Sequence, residues 1–262
     1  MEAWKDYYYG INEILLKIVD TQQENMIKAA EICAETTKKG GIIYAFGCWH
    51  SMLIAQEQFY RAASPANFMA ICEPSLTGAT QLSAIGRIEN CYGIGETIVD
   101  YWRINPEKDC LILISNSGNN IVTVEAALRA KEKKIPLIGI TSTEYADTMI
   151  TRHKSAKKLK DVVDVVLDNC CPIGDAICQL EGLPLKTGPA SGILMNFLMS
   201  SLFVQMEQLC LQDGVMPEIY YNGHVKMMTE EAKAKYKWLD KVDAAKHNLD
   251  LIDKYYYRIK TL

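Results

Sequence analysis

Five short apolar runs, at 42–46, 68–72, 111–114, 135–140 and 162–167, divide the chain at intervals. Each is too short for a helix, and the continuous run 111–114 has the pattern of a strand buried on both faces of a parallel sheet. Between the runs the apolar positions fall at helical spacing. Residues 1–38 read as helix, with Ile11, Ile14, Leu15 and Ile18 on one face. Thr21-Gln22-Gln23-Glu24 reads as a capping box that starts a second helix through Met26, Ala29, Ala30 and Cys33. Further helices are expected at 52–62, 95–101, 121–134, 188–211 and 229–260, while 75–92 has weak periodicity and stays ambiguous. Strands alternating with helices predict an α/β fold, a three-layer doubly wound arrangement of a five-stranded parallel sheet.

The run 111–114 breaks into Ser115-Asn116-Ser117-Gly118-Asn119-Asn120, followed by Val122, Val124, Ala126, Ala127 and Ala130 at helical positions and by Lys131, Lys133 and Lys134 at the end. A strand, a tight polar loop and a helix N-terminus together make an anion site, because loop amides and hydroxyls point where the helix dipole is positive. The same residues would also serve as a plain turn. A Gly-Lys-Ser/Thr ending and a three-glycine spacing are both absent, which leaves a monophosphate rather than a nucleotide as the matching anion. The loops at 47–51, 73–74, 115–120 and 141–144 all follow expected strands, so all four are expected on one rim, where ligands bind to such sheets.

Composition narrows the field further. With 262 residues, 49% hydrophobic and 23% charged, the chain has ample material for a core. A net charge of -4 gives no electrostatic case for nucleic acid or an anionic membrane as partner. No spanning helix is expected, and the start Met1-Glu2-Ala3-Trp4 lacks the order of a signal peptide. Nine scattered cysteines without a Cys-x-x-Cys pair read as reduced thiols, which places the chain in the cytoplasm. No metal and no cofactor is expected.

Several motifs carry a resemblance. Gly47-x-x-His50-Ser51, Ile114-Ser115-Asn116-Ser117-Gly118-Asn119 and Ile140-Thr141-Ser142 resemble the sugar isomerase (SIS) domain, a superfamily that includes phosphoheptose isomerase and N-acetylmuramic acid 6-phosphate etherase. Phe59-Tyr60-Arg61-Ala62, Glu73-Pro74, Asp168-Asn169-Cys170 with Gly174-Asp175-Ala176, and Glu181-Gly182-Leu183-Pro184 resemble a subfamily of stand-alone SIS proteins, over roughly residues 8–220. The resemblance implies a sugar phosphate as ligand and a homodimer or homotetramer. Read with the helical pattern, the chain divides into three expected parts: N-terminal helices over 1–40 packing on the domain or a dimer interface, the SIS domain over 41–215 and a helical extension over 216–262, most of which the resemblance does not reach. Carried over by position, Ser115, Asn116, Ser117 and Asn120 grip the phosphate, Gly118 allows close approach, and Ser51 faces the sugar. Gly47 and Ser142 belong to the same matched motifs. Trp49 departs from the pattern, standing where close members carry glycine. Where phosphoheptose isomerases place metal-liganding His and Glu, this chain has Glu57 and Arg61, which speaks against a zinc-dependent isomerase.

Aldose–ketose isomerisation needs a base near adjacent carbons and a donor for the oxygen. Glu57 and Glu73 are the rim carboxylates suited to the base, with Glu181 a third candidate, although Glu57 could equally pair with Arg61 one turn on. His50 could donate to the sugar or open its ring, and Lys186 could stand near the N-terminus of the helix that follows Gly188. The function expected is therefore a cofactor-independent isomerase of a hexose or amino-sugar phosphate. The alternatives are a non-catalytic phosphosugar sensor and an etherase-type lyase on an N-acetylmuramic acid 6-phosphate-like substrate.

Overall fold

The strands form because their residues are apolar on both faces of one sheet. In β3 (Cys110–Ile114) all five positions are buried, and so are all five of β1 (Ile43–Gly47). The computed structural model describes residues 2–77 and 82–259. Its sheet is parallel throughout, in the order β2 (Phe68–Ile71), β1, β3, β4 (Leu137–Thr141), β5 (Val165–Asp168). The chain leaves β1 in one direction to make β2, then returns on the other side of β1 to make β3. The order therefore reverses between β1 and β3, and their ends lie side by side, with Gly47 in register with Ile114. A crevice at that reversal is where an open parallel sheet receives ligands.

Alternation sends successive side chains to opposite faces. Ile43, Ala45, Ile112, Ile114, Ile138 and Ile140 face one core, shared with α1 (Ala3–Thr21), α2 (Gln23–Lys38) and α8 (Ser191–Gln212). Tyr44, Phe46, Leu111, Leu113 and Leu137 face the other, shared with α5 (Ile94–Tyr101) and α6 (Ile121–Glu132). The remaining helices are α3 (His50–Gln58), α4 (Leu82–Ile88), α7 (Thr143–Thr148), α9 (Glu230–Lys235) and α10 (Ala244–Ile259). Among the described residues only α8 is long and apolar enough to cross a membrane by length and composition. In this fold it is a core helix, with Leu194, Leu198 and Leu202 fully buried against α2 and the sheet.

Some local expectations fail for identifiable reasons. The capping box at Thr21 does not form: Thr21 Oγ1 donates to Lys17 O at 2.7 Å, inside the preceding helix. Gln22 becomes the junction between α1 and α2, and its Oε1 accepts the Asp168 amide at 3.0 Å, tying both helices to β5. α3 ends at Gln58 rather than near 62 because Tyr60 and Ala63 adopt positive φ, which no helix continues through. The ambiguous stretch 75–92 resolves into α4, while residues 78–81 lie outside the described residues. The helical region expected over 229–260 is split into α9, a short turn and α10, and residue 260 is likewise outside. The chain after α8 is fastened to the loop before β2. Ala63 and Ala66 donate to Tyr220 O and Glu218 O, each at 2.7 Å, and Tyr255 donates to Glu218 Oε2 at 2.6 Å.

Candidate functional site

The loop after β3 is held from behind by its backbone. Ser115 donates its amide to Ile140 O at 3.0 Å, and Asn116 O accepts the Ser142 amide at 2.9 Å and the Thr141 hydroxyl at 3.2 Å. Gly118 turns the chain at φ +60, its carbonyl accepting Leu159 N at 2.8 Å. A Cβ there would stand 2.8 Å from Thr141 Oγ1, so glycine answers both the conformation and the space. Asn119 is buried and clamps the segment after α7, donating to Ile150 O at 2.8 Å and accepting Arg152 N at 3.1 Å.

With those bonds made, the front of the loop is left open. Among the described residues nothing accepts the amides of Ser117, Asn119, Asn120 or Ile121, and the Ser117 hydroxyl is unpartnered. These groups gather at the N-terminus of α6, which is the arrangement that binds anions. Ser115, Asn116, Ser117 and Asn120 line one cavity of about 380 Å³.

The opposite wall comes from the loop after β1. Gly47 leaves no room for a side chain, since a Cβ would fall 2.7 Å from Ser51 Cβ and 2.9 Å from Ile114 O. Trp49 follows at φ 55, ψ -127, a backbone state that favours glycine, and its indole Nε1 is buried without a hydrogen-bond partner. His50 and Ser51 open α3 and line the cavity, His50 exposed and without a hydrogen bond among the described residues.

Two carboxylates not among the expected site residues face this space. Glu89, just past α4, accepts a hydrogen bond from Asn120 Nδ2, and burial raises its carboxyl above the ordinary value against the opposing pull of Arg152 and of that bond. Asp175 lines the far side. Burial works to raise it, yet bonds from the Ser191 hydroxyl, the Cys171 thiol and the amides of Ser191 and Ala190 outweigh that and hold it below the ordinary range. Asp175 is thus the anionic cap of α8. Burial, with Asp175 beside it, keeps the Cys171 thiol neutral.

Not every expected site residue reaches the cavity. Glu57 is exposed on α3 and paired with Arg61, the arrangement the i, i+4 spacing allows. Glu73 caps the turn after β2, its Oε1 accepting Ser75 N at 3.2 Å and Ser75 Oγ at 2.8 Å, so the 73–74 loop does not join the cavity. Ser142 is buried behind the loop, donating to Cys171 O at 2.7 Å and accepting Tyr145 N at 3.1 Å. Lys186 is exposed, and neither it nor Ser142 lines the cavity. The signal for Glu89 was weak because the stretch before it is rich in small residues, which blurred the helix it follows. Among the described residues no group of three or more His, Cys, Asp or Glu side chains could hold a metal ion.

Comparison with known proteins yields a consistent set of likenesses. The sequence model described as "SIS domain" matches residues 6–142. A UPF0309 protein of Geobacillus kaustophilus is 33% identical over 238 residues, covering 90% of this chain and 92% of the relative. Among solved structures, a phosphoheptose isomerase from Francisella tularensis superposes with a TM-score of 0.51 at 15% identity, covering 78% of this chain and 96% of the other. A phosphoheptose isomerase from Neisseria gonorrhoeae gives 0.50 at 17% identity, covering 77% and 95%. At such identities the two structures speak to the fold alone, and they share it.

Proposed function

The chain belongs to the SIS domain family, and from that premise we propose that it binds a sugar monophosphate in the cavity between the β1 and β3 loops and isomerises it between aldose and ketose forms. One observation carries this: Ser117 and Asn120, whose amides are open, line one cavity with Glu89, a carboxylate made more basic by burial. The phosphate sits on those amides at the α6 N-terminus, with the Ser117 hydroxyl as a further donor. The two solved structures of the same fold are of isomerases named for a heptose phosphate, which supports a phosphorylated sugar as the ligand class.

In this reading Glu89 takes the proton from the carbon beside the carbonyl, leaving an enediolate. The hydroxyl proton passes from O2 to O1, and Glu89 returns the carbon-bound proton to the neighbouring carbon. No net proton or electron is gained or lost. His50, free at the mouth of the cavity, donates to the ring oxygen so that the open-chain sugar forms. No cofactor is required by these steps. The test is incubation with a panel of aldose and ketose phosphates in deuterated water, read by NMR. Deuterium entering at C1 or C2 of one of them is the expected result. A sugar phosphate that binds and raises the melting temperature without any exchange would leave a binding protein and refute the isomerase. At about 100 times its Kd a ligand stabilises by about 2.7 kcal/mol, so binding is readily seen.

A further inference from the structure

Three side chains join the phosphate loop to the base. The Gly118 amide donates to Ser115 Oγ at 3.2 Å, which turns the hydroxyl's own proton toward Asn120 Oδ1 at 2.9 Å. With its oxygen so engaged, Asn120 presents Nδ2 to Glu89 Oε2 and donates to it. Ser115, Asn120 and Glu89 all line the same cavity, and Ser115 and Asn120 come from the loop whose amides are open.

Building on the phosphate reading above, we propose that Asn120 is a positioning residue that transmits occupancy of the loop to Glu89. With the loop empty, the Ser115 hydroxyl holds Asn120 in the orientation that donates to the carboxylate, and this bond favours its ionised form. An anion is a stronger acceptor than a neutral amide oxygen. Once seated, it draws the Ser115 proton, Asn120 loses the bond that oriented it, and Glu89 loses its donor. The carboxylate, already raised by burial, then becomes more basic still when a substrate phosphate is in place. The other groups facing Glu89 keep their roles: Arg152, beyond α7, favours the ionised form, and the Cys48 thiol, pushed up to about 12 by burial, stays neutral. His50, Tyr145 and Asp175 share the cavity wall.

The experiment uses the full chain labelled with ¹³C at the glutamate carboxyl carbons, with the Glu89 signal identified by its loss in Glu89→Gln. Its titration is followed with and without saturating inorganic phosphate, whose binding is read separately by ³¹P NMR. In the unaltered protein phosphate is expected to raise the Glu89 midpoint by about 1 unit or more. In Asn120→Ala the free protein already titrates higher, and phosphate adds less than half that shift. Ser115→Ala leaves the Asn120 and Glu89 side chains intact but removes the hydroxyl that orients Asn120, so it too titrates higher when free and loses most of the phosphate increment, a second variant should Asn120→Ala fold poorly. An equal phosphate shift in all three proteins would mean charge acting through space and would overturn the relay. Bound phosphate with no shift at Glu89 in the unaltered protein would do the same. Absence of ³¹P binding would bring down the phosphate reading itself, and the relay with it.

Discussion

The two loops that face each other across the crevice are built on opposite plans. After β3, Gly118 takes the left-handed turn, the backbone is bonded to β4 and to residue 159, and the Asn119 side chain is bonded to the segment after α7, so the open amides are held in place before any ligand arrives. After β1, the left-handed position falls to Trp49, whose indole N–H is buried without a partner. Preorganised donors cost nothing to align at the moment of binding. A strained residue beside a site stores energy that a change of loop conformation can release. On the proposed reading the β3 side is the binding surface, and the β1 side the wall that can yield.

The largest effect that sharpens this contrast is at Glu89, which Asn120 ties to the β3 loop. Glu89→Gln keeps the side chain's size and removes the proposed base. Exchange is expected to fall by about 10²–10⁴-fold while phosphate affinity changes little. On the isomerase reading, exchange by the unaltered protein should rise with pH as Glu89 ionises, with a midpoint above that of an ordinary glutamate, because burial raises its pKa. A variant with full exchange would return the base to another residue.

Next is Gly118→Ala. The alanine Cβ meets Thr141 Oγ1 at 2.8 Å in a left-handed backbone, so conformational strain and crowding add. A loss of about 2–3 kcal/mol in urea unfolding is expected, together with loss of phosphate binding. An unchanged midpoint would show that the loop has slack and that its preorganisation is overstated.

A pair of variants isolates the strain on the other side. Trp49→Gly and Trp49→Ala remove the same indole contacts and the same unpartnered N–H, and they differ mainly in tolerance of φ 55, ψ -127. The glycine variant is expected to be more stable by about 1–2 kcal/mol. Equal stabilities would mean that the β1 loop stores no strain and that the two loops differ less than their geometry implies.

The sequence carried the fold because short apolar runs in a parallel sheet leave little ambiguity: the expected strands overlap the observed ones, with ends moved by at most three residues. It also carried the loop at 115–120, where strand, glycine and helix start follow one another along the chain. What it could not carry were partnerships across long separations. Gln22 pairs with Asp168, Asp175 caps a helix 15 residues on, and Glu89 meets Asn120 only after α5 and β3 have brought it round. Thr21 looked like a cap from its neighbours alone, and tertiary packing used its junction differently. The same limit explains why Glu57 stood out. Its distance from Ser51 along the chain suggested the rim, while the turn of α3 directs it to solvent.

The smallest effect expected is the one that tests that last point. Glu57 is half exposed and bonded to Arg61 one turn away, a pair worth about 0.3–0.5 kcal/mol on a helix surface. Glu57→Gln should shift the urea midpoint barely beyond error and leave exchange intact, in contrast with Glu89→Gln. The two substitutions remove the same carboxylate chemistry from the two sides of the crevice, so their difference measures which side holds the base. A loss of exchange at Glu57 comparable to that at Glu89 would require the carboxylate to enter the cavity in the working protein. The β1 side would then be more than a wall.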